Sequence, residues 1–339
     1  MILVTGGLGY IGSHTVVALQ EKGFEVLIVD DLSNTSIDVI KGIEAASGKR
    51  PQFIELDLKE DQAVSSLFKN FIIKGIIHFA ALKAVGESVQ NPVSYYKNNL
   101  GSILNLLTEV EKATASIPFI FSSSCTVYGE ANELPITENS PLKLAMSPYG
   151  NTKQIGEEIL SDTVNAIDGF RAISLRYFNP IGAHNSIEIG ELPIGRPQNL
   201  LPFITQTAAG IHPKLIVHGN DYPTADGTNI RDYIHVMDLA EAHVVALERI
   251  LENRCNDTYE VFNLGTGKGS SVMEVIKSFE RVSELKLNYE FGPRRIGDVV
   301  EAYADTTKAN KILGWKSKRN LDEAVASAWI WEKKIRNLI

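Results

Sequence analysis

The chain has 339 residues, which is enough for one large domain or for two ordinary domains that share a cleft. Its composition, with 44% hydrophobic and 22% charged residues, is typical of a globular protein. The formal net charge of −8 argues against a nucleic-acid partner, which needs a concentrated basic surface, but a local basic pocket for a small phosphorylated ligand stays open.

Short, continuously apolar segments alternate with amphipathic segments along most of the chain. Strands that are buried on both faces are apolar throughout, so these segments are predicted to form a parallel sheet. They are residues 1–7, 24–30, 53–58, 75–80, 118–124, 172–178 and 259–265. Residues 10–23 have helical periodicity, and Gly23 is the stop signal. The alternation predicts an α/β fold of the Rossmann type with a doubly wound parallel sheet.

A glycine-rich turn follows the first predicted strand, in the sequence TGGLGYIGSH of residues 5–14. It contains Gly7-x-Gly9-x-x-Gly12, and Gly6 extends the pattern. Such glycines let the chain turn sharply and let the backbone approach a pyrophosphate at the N-terminus of the next helix. A glycine turn alone is weak evidence, but this one stands between a strand and a helix, as a dinucleotide site requires.

The second predicted strand ends in Asp30, 18 residues after Gly12. A carboxylate at this position accepts hydrogen bonds from the ribose of a dinucleotide. A turn or cap residue is the alternative, and it suits the neighbouring Asp31. Residues 30–35 contain no arginine for a 2′-phosphate, so NAD is predicted rather than NADP. Asp57, at the end of the third predicted strand, is expected to lie against the adenine.

The pattern loosens after residue 180. Residues 179–202 are rich in Pro, Gly and Asn, which is typical of a long loop that lines a site. We therefore predict an NAD-binding domain at residues 1–178 and a smaller C-terminal α/β domain at residues 179–339. The chain is expected to return to the first domain around residues 232–265, where one more sheet strand is predicted.

The sequence SPYGNTK, residues 147–153, places Tyr149 four residues before Lys153. On a helix, these two side chains lie on one face, one turn apart. The phenol of a free tyrosine has a pKa of about 10 and is a poor base at neutral pH. A nearby ammonium, and the positive ring of a bound nicotinamide, would lower that pKa. A surface pair is the usual alternative, but behind a dinucleotide-binding segment the pattern predicts a proton-transfer pair.

Ser124 stands at the end of the fifth predicted strand, in the sequence FSSSCTVYG of residues 121–129. Ligands of open parallel sheets bind at the carboxyl edge of the strands. The Ser124 hydroxyl is therefore expected to hydrogen-bond the substrate hydroxyl whose proton Tyr149 takes. A plain strand-end serine is the alternative.

The cysteines and histidines form no recognisable ligand pattern. Neither Cys125 nor Cys255 belongs to a CxxC pair, so a disulfide framework is not expected. The seven histidines have no HExxH-like spacing, and no catalytic metal is expected. No apolar run approaches the roughly 20 residues of a membrane span. The first residues have the pattern of a strand rather than of a signal peptide, and a cytoplasmic protein is predicted.

Six motifs are spread along the chain: TGGLGYIGSH, FAALKAVGES, FSSSCTVYG, SPYGNTK, LRYFNPIGAH and GTNIRDYIHVMDLA. Together they resemble the UDP-galactose 4-epimerases of the extended short-chain dehydrogenase/reductase family, from residue 1 to the C-terminus. The resemblance implies reversible oxidation at C4 of a UDP-hexose through a 4-keto intermediate. It also implies a homodimer with one tightly held NAD per subunit, and a C-terminal domain that binds the UDP-sugar.

The resemblance further assigns roles to single residues. It implies that Tyr149 is the base, that Lys153 binds the nicotinamide ribose and that Ser124 binds the sugar hydroxyl. The residues that it places around NAD are Gly6, Gly9, Tyr10, Ile11, Gly12, Asp30, Asp31, Leu32, Ser33, Asn34, Thr35, Asp57, Leu58, Phe79, Ala80, Ala81, Leu82, Lys83, Asn98, Ser122, Tyr149, Lys153 and Phe178. Those that it places around the UDP-sugar are Ser124, Tyr149, Asn179, Asn199, Leu200, Val217, His218, Arg231, Arg295, Asp298 and Ala302. Arg231 and Arg295 suit a diphosphate, because guanidinium groups match phosphate geometry; a surface ion pair is the alternative for each.

Three positions depart from the family pattern. Ala81 replaces a common glycine and leaves Lys83 in register, and His218 stands where many relatives have an aromatic residue near uracil. Ala302 stands where epimerases restricted to UDP-glucose and UDP-galactose resemble one another in carrying a tyrosine. A methyl group there predicts room for an N-acetyl group, unless Tyr303 fills the space. UDP-GlcNAc and UDP-GalNAc are therefore expected substrates too.

Two other functions compete with this interpretation. A dehydratase of the same family carries an Asp-Glu pair after the threonine of its TDEVYG-like motif, whereas this chain has Ser124-Cys125-Thr126 and no acid there. A non-catalytic NAD-binding regulator would tolerate loss of the Tyr, Lys or Ser, and all three are present. No GxSxG or Walker A sequence occurs, which disfavours a serine hydrolase and a P-loop kinase.

Overall fold

A computed structural model of the chain describes residues 1–113, 116–295 and 298–339. Within these ranges, no helix is both long and apolar enough to cross a membrane. The helices are α1 Tyr10–Glu21, α2 Val39–Ser47, α3 Asp61–Asn70, α4 Val85–Gln90, α5 Pro92–Lys112, α6 Pro148–Ala166, α7 Leu200–Ala208, α8 Val236–Leu251, α9 Val272–Ser283 and α10 Leu321–Ile335. The strands are β1 Ile2–Thr5, β2 Val26–Asp30, β3 Gln52–Glu55, β4 Gly75–His78, β5 Phe119–Ser124, β6 Ala172–Tyr177, β7 Asn179–Ile181, β8 Leu215–His218, β9 Ile230–Arg231, β10 Tyr233–His235, β11 Tyr259–Leu264, β12 Ser270–Ser271, β13 Tyr289–Gly292 and β14 Glu301–Ala302. A 3₁₀ helix at Cys125–Tyr128 and a π-helical turn at Ala309–Leu313 complete the regular structure of the described residues.

The large sheet of the described residues has seven parallel strands in the order β3-β2-β1-β4-β5-β6-β11. From β1 the chain moves outward through β2 to β3, and from β4 it moves outward in the other direction. The crevice beyond the carboxyl ends of β1 and β4 is therefore the switch point of a doubly wound sheet, where ligands bind. This architecture confirms the predicted fold class.

Alternate residues of each strand pack against helices on opposite faces of this sheet. Val4 belongs to a core cluster that includes Leu247 of α8, whereas its neighbour Leu3 belongs to a second cluster that includes Leu160 of α6. Because both faces are covered, the strands are apolar throughout, and the removal of this apolar surface from water is the main force that stabilises the sheet.

The remaining strands form small sheets outside the large one. β7 pairs with β10, β8 pairs with β13, and β9 lies between β12 and β14. With α7, α9 and α10 they enclose a third apolar cluster, which includes Ile204, Phe279 and Trp329. The chain then returns to the large sheet, because β11 pairs with β6 from Tyr259 opposite Ala172 to Leu264 opposite Tyr177.

The seven predicted strands are confirmed, with bounds that differ from the predicted ranges by up to three residues. Helix α1 ends at Glu21 because the amides of Lys22 and Gly23 bond the carbonyls of Ala18 and Gln20 in a closing turn. Strand β3 ends at Glu55, so Asp57 lies two residues beyond it rather than at its end.

Three buried histidines predict that acid destabilises the fold. Burial lowers the pKa of His14 and of His78 to about 3, and that of His243 to about 4, from an ordinary value of 6.5. The unfolded chain therefore binds protons that the folded chain does not, and the stability present above pH 6.5 is lost as the pH falls towards these values. Each histidine is expected to contribute about 1.4 kcal/mol per pH unit in that window.

The measurement is the free energy of unfolding in urea between pH 6.5 and 5. His243→Leu is expected to reduce the slope of this free energy against pH by one histidine's share, because it removes one of the three titrating imidazoles. The Nε2 of His243 has no hydrogen-bond partner among the described residues, so its loss leaves no polar group unpaired. An unchanged slope in this variant would mean that His243 is protonated in the folded protein.

Candidate active site

The glycine turn forms a narrow cradle between β1 and α1. Gly6 has a φ of +66°, and a Cβ on it would lie 2.8 Å from the backbone nitrogen of Ala80. A Cβ on Gly12 would lie 2.2 Å from the carbonyl oxygen of Gly6. Gly9 precedes Tyr10, the first residue of α1, whose first turn carries no acidic side chain. The positive end of the helix dipole therefore faces a cradle that only glycines leave open, which suits a pyrophosphate.

Asp30 lies beside this cradle at the carboxyl end of β2. Its Oδ2 accepts a hydrogen bond from the amide of Leu8, and its Oδ1 accepts one from the amide of Leu32, each at 3.1 Å. Burial raises the pKa of Asp30, and these backbone hydrogen bonds lower it. The two amides fix the carboxylate, and its remaining lone pairs are able to accept ribose hydroxyls.

The segment after Asp30 borders the same place. Asp31 accepts hydrogen bonds from the amide of Ser33 at 3.0 Å and from its hydroxyl at 2.6 Å. The Thr35 hydroxyl donates to the carbonyl oxygen of Leu8 at 2.7 Å, which ties this segment to the glycine turn. Leu32 has a φ of 58°, and Asn34 is exposed.

The segments after β3 and β4 hold the other residues predicted to bind NAD. Asp57 accepts a hydrogen bond from the amide of Lys59 at 2.9 Å, and Leu58 is buried. The amide of Phe79 donates to the carbonyl oxygen of Thr5 at 3.0 Å, which keeps this segment close to the glycine turn. Ala80, Ala81, Leu82 and Lys83 after β4 are half-buried or exposed, as are Ile11 on α1 and Asn98 on α5.

Helix α6 presents the predicted proton-transfer pair. Its cap is Ser147, whose Oγ accepts a hydrogen bond from the amide of Gly150 at 3.1 Å, and Pro148 occupies its first turn. Tyr149 and Lys153 are both buried on the face that packs on the sheet. The Lys153 Nζ donates to the carbonyl oxygen of Ser122 at 2.7 Å and lies 5.9 Å from the centre of the Tyr149 ring.

Burial governs the acidity of this pair. It raises the pKa of the Tyr149 phenol well above its ordinary value, and the Ser124 side chain offsets this rise in part. It lowers the pKa of the Lys153 ammonium to about 8, although the Glu157 carboxylate raises it. In the protein itself, burial thus outweighs the expected lowering of the phenol pKa by Lys153. A phenolate at neutral pH requires a further positive charge beside the ring.

The serines at the end of β5 surround this pair. Ser124 accepts a hydrogen bond from the amide of Thr126 at 3.2 Å and so caps the 3₁₀ helix that follows. The Ser122 hydroxyl forms a short hydrogen bond with the Tyr177 hydroxyl. Ser124, Tyr149 and Lys153 therefore meet at the carboxyl edge of the sheet, as the sequence predicts for a ligand site.

A buried ion pair beneath Lys153 was not predicted from the sequence. Glu157, one turn further along α6, accepts hydrogen bonds from the Arg176 Nε at 2.9 Å and from its Nη2 at 2.5 Å. The Ser123 hydroxyl donates to the same carboxylate at 2.5 Å. Two features of the sequence could have indicated this pair. Glu157 follows Lys153 by four residues, and Arg176 is a charged residue within the apolar segment AISLRYF.

The residues predicted to bind the UDP moiety lie on several elements. Asn199 precedes α7 and is exposed, and its Nδ2 donates to Glu191 at 2.7 Å. Arg231 forms a weak ion pair with Asp298, with 3.4 Å between Nη2 and Oδ1. The remaining members, Asn179, Leu200 and Arg295, are exposed or half-buried. The motif that joins Arg295 to Asp298 includes residues 296 and 297, which lie outside the described residues.

Cys125 relates the position of Arg231 to the carboxyl edge of the sheet, where Ser124 lies. Burial raises the pKa of the Cys125 thiol to about 11, and the positive charge of Arg231 lowers it. The guanidinium is therefore near the residue that follows Ser124.

The structure separates Val217 and His218 on β8, which the resemblance places around the UDP-sugar. Val217 is only 1% exposed and its side chain packs in the core, so a contact with uracil would use its backbone. His218 is half-buried, and its Nδ1 lies 3.2 Å from the carbonyl oxygen of Pro293. The alternation of side chains along a strand explains the difference, which the family motif does not reveal.

Ala302 and Tyr303 contact different residues around β14. Ala302 packs with Cys125 against a cluster that contains Val127 and Phe178. The Tyr303 ring lies against Gly269, 3.2 Å from the point where a Cβ on that glycine would stand. Tyr303 is therefore held away from the face that carries Ala302, and the alternative in which it fills this space is not supported.

Known proteins resemble this chain along almost its whole length. The model of a family described as GDP-mannose 4,6 dehydratase matches residues 3–328. A UDP-glucose 4-epimerase of Bacillus subtilis (strain 168) is 50% identical over 331 residues, which cover 98% of this chain and 96% of the relative.

Solved structures give the same result. UDP-glucose-4-epimerase from Stenotrophomonas maltophila, with bound NAD and formylated UDP-arabinopyranose, is 42% identical with a TM-score of 0.95, and the match covers 100% of this chain and 99% of that one. The UDP-Glc/GlcNAc 4-epimerase of Campylobacter jejuni is 38% identical with a TM-score of 0.84, over 98% of this chain and 99% of that one. Relatives of this similarity carry the epimerase name, and the dehydratase alternative is not supported. The chain belongs to the UDP-glucose 4-epimerases of the extended short-chain dehydrogenase/reductase family.

Proposed function

We propose that this protein is an NAD-dependent UDP-hexose 4-epimerase that interconverts UDP-glucose and UDP-galactose. One observation carries the proposal: Tyr149, Lys153 and Ser124 meet at the carboxyl edge of the same sheet whose first strand leads into the glycine cradle. The relatives named above are UDP-glucose 4-epimerases, and the structure from Stenotrophomonas maltophila holds NAD and a UDP-linked sugar, the two kinds of ligand that this arrangement suits.

The proposed reaction inverts C4 through a 4-keto sugar. Tyr149 takes the proton of the 4-hydroxyl group, Ser124 hydrogen-bonds the same hydroxyl, and Lys153 holds the nicotinamide ribose. NAD, when bound, would accept the C4 hydride and return it, and its oxidised ring would supply a positive charge that favours the phenolate. Inversion requires the keto sugar to turn within the site before Tyr149 returns the proton.

The decisive experiment is product analysis of the purified protein with UDP-galactose and, separately, with UDP-GlcNAc. Formation of UDP-glucose from UDP-galactose without added oxidant supports the proposal. Release of a 4-keto-6-deoxy sugar would instead indicate a dehydratase, and the absence of turnover would indicate a regulator.

The cofactor site fits NAD. The cradle lets a pyrophosphate approach the backbone, which a Cβ on Gly6 or Gly12 would block. Asp30 is fixed beside the cradle and keeps lone pairs for further hydrogen bonds. The Lys153 ammonium uses one of its three donors on Ser122, which leaves two for ribose hydroxyls. We place the cofactor-binding part at residues 1–178 with the return at 232–265, and the UDP-sugar-binding part at 179–339.

We predict that NAD copurifies with the protein. The cradle, Asp30 and Lys153 address three different parts of the cofactor, and an enzyme that returns its own hydride has no need to exchange it. Denaturation of freshly purified protein, followed by an assay of the released nucleotide, is expected to give about one NAD per chain. A protein that requires added NAD for each turnover would contradict this prediction.

We also propose that UDP-GlcNAc and UDP-GalNAc are substrates. Ala302 lies near Cys125, and hence near the end of β5 that carries Ser124. A methyl group at this position leaves space beside the C2 substituent that a phenol would occupy, and Tyr303 lies against Gly269 instead.

The variant Ala302→Tyr tests this substrate range. It is expected to lower kcat/KM for UDP-GlcNAc by about tenfold or more relative to that for UDP-galactose, because a side chain that overfills a packed site excludes the larger ligand. Both activities are measured on the same preparation. Equal loss of both, or no activity of the unchanged protein on UDP-GlcNAc, would refute the proposal.

A homodimer and a cytoplasmic location remain predictions. Exposed apolar side chains on α4 and α5, such as Val89 and Val93, are consistent with a protein partner. The absence of a CxxC pair among the cysteines is consistent with a reducing compartment.

A further inference from the structure

A chain of buried polar groups links the catalytic edge to the interior of the protein. Glu157 and Arg176 are each about 5% exposed, and the guanidinium donates to both carboxylate oxygens. Arg176 also donates to the Tyr128 hydroxyl at 2.9 Å, and Tyr128 donates to Asn263 on β11 at 2.7 Å. The pair is therefore held by Ser123 on β5 and by Tyr128 in the 3₁₀ helix that begins after Ser124, and through Tyr128 it is linked to β11.

The carboxylate of Glu157 lies close to both proposed catalytic elements. Along α6 it stands one turn after Lys153, and through the Ser123 hydroxyl it binds the strand whose neighbouring residues are Ser122 and Ser124. The Ser122 carbonyl accepts the Lys153 ammonium. The Glu157 carboxylate thus lies on α6, the helix that carries Lys153, and it also binds β5, the strand whose Ser122 carbonyl orients Lys153.

Several charged or titratable groups face Lys153 from the packed elements. They are Tyr149 and Glu157 on α6 and His78 on β4. On β6, Tyr177 is hydrogen-bonded to the Ser122 hydroxyl, and Arg176 is paired with Glu157. His78 is neutral, because burial and Lys153 lower its pKa to about 3. Among these groups, all of them described residues, Glu157 is the one carboxylate. Arg176 is paired with it and is the second positive charge after Lys153.

We propose that Glu157 is a positioning residue for the epimerase reaction: its carboxylate keeps the Lys153 ammonium charged within the buried site. Without the carboxylate, the ammonium would lose its nearby negative charge, and the Arg176 guanidinium would be left without its counter-charge. Both changes disfavour the charged lysine, and a neutral lysine no longer stabilises the Tyr149 phenolate. This inference rests on the proposed function.

The test is the pH dependence of kcat/KM for UDP-galactose in Glu157→Gln, which keeps the shape of the side chain and removes its charge. Lysine deprotonation is favoured by high pH, so the loss is expected to be about tenfold at pH 8.5 and to shrink below about twofold at pH 6. Ser123→Ala is the matched control, since it removes a hydrogen bond from the same carboxylate but no charge. Any loss in this control is expected to be the same at every pH.

A second readout does not depend on activity. In the unchanged protein the folded pKa of Lys153 is about 8 against an ordinary value of 10.5, so the midpoint temperature of unfolding rises with pH between these values. In Glu157→Gln this rise is expected to begin at lower pH. Lys153→Met in each background removes it and serves as the reference.

The outcomes separate the two proposals. If the unchanged protein lacks epimerase activity, the proposed function fails, while the unfolding measurement still tests the effect of Glu157 on Lys153. If the unchanged protein is active and the loss in Glu157→Gln is the same at every pH, the inference fails. Should Glu157→Gln not fold, Glu157→Gln/Arg176→Met removes the carboxylate without leaving an unpaired guanidinium. A loss smaller than tenfold that still grows with pH is then expected, and a loss that is the same at every pH overturns the inference.

Discussion

Tyr149→Phe is expected to lower kcat for epimerisation of UDP-galactose by about 10²–10⁴-fold, the usual share of a general acid–base group. The substitution removes one hydroxyl from a side chain that is 8% exposed and leaves the ring to pack as before. NAD content and the unfolding temperature are therefore expected to stay unchanged. The measurement is kcat at saturating substrate together with the nucleotide released on denaturation.

Tyr259→Phe is the control for this variant. Its hydroxyl is hydrogen-bonded to Ser174 at 2.7 Å, at the end of the sheet opposite the site. It therefore measures the cost of losing a buried tyrosine hydroxyl as such, and near-normal turnover is expected. Comparable turnover in both variants would remove Tyr149 from the proposed role.

Gly12→Ala is expected to abolish the copurification of NAD. The new Cβ would lie 2.2 Å from the carbonyl oxygen of Gly6, and that oxygen also accepts the amide of Gly9 at 3.1 Å. Backbone atoms must therefore move, which distorts the cradle. Overpacking of this kind costs about 1–3 kcal/mol, or about 10–100-fold in affinity. Released nucleotide per chain and the dissociation constant for added NAD are the measurements.

Gly86→Ala gives the matched control. Gly86 lies within α4, and a Cβ on it would meet no atom of the described residues within 4 Å. The same chemical change is expected to leave NAD content unaltered and to favour the helix slightly. If Gly12→Ala retains a full complement of NAD, the cradle is not the pyrophosphate site.

The fold was predictable because its signals are local. Strands buried on both faces are recorded as apolar runs such as residues 24–30, and the seventh strand at 259–265 is as apolar as the first six. The pairing of Tyr149 with Lys153 follows from helical spacing alone. Both could be inferred before any contact between distant residues was known.

The rest depends on contacts between distant parts of the chain. Glu157 and Arg176 are 19 residues apart on different elements, and no spacing rule pairs them. The rise in the Tyr149 pKa reflects burial by the assembled sheet and helices, which a count of neighbouring charges does not include. The direction of the Val217 side chain depends on which face of β8 packs on the core around Ile204 and Phe279, and the sequence around Val217 does not fix it.

The last strand of the large sheet has a consequence for attempts to divide the protein. β11 closes the edge of β6 along six residue pairs, and α8 covers the face beneath it, yet both come after the β7–β10 region in the chain. A fragment that stopped at residue 178 would leave β6 with an open row of backbone donors and acceptors and an apolar face. Such edges pair with other chains. A chain shortened at residue 178 is therefore expected to self-associate rather than to fold as a small cofactor-binding protein.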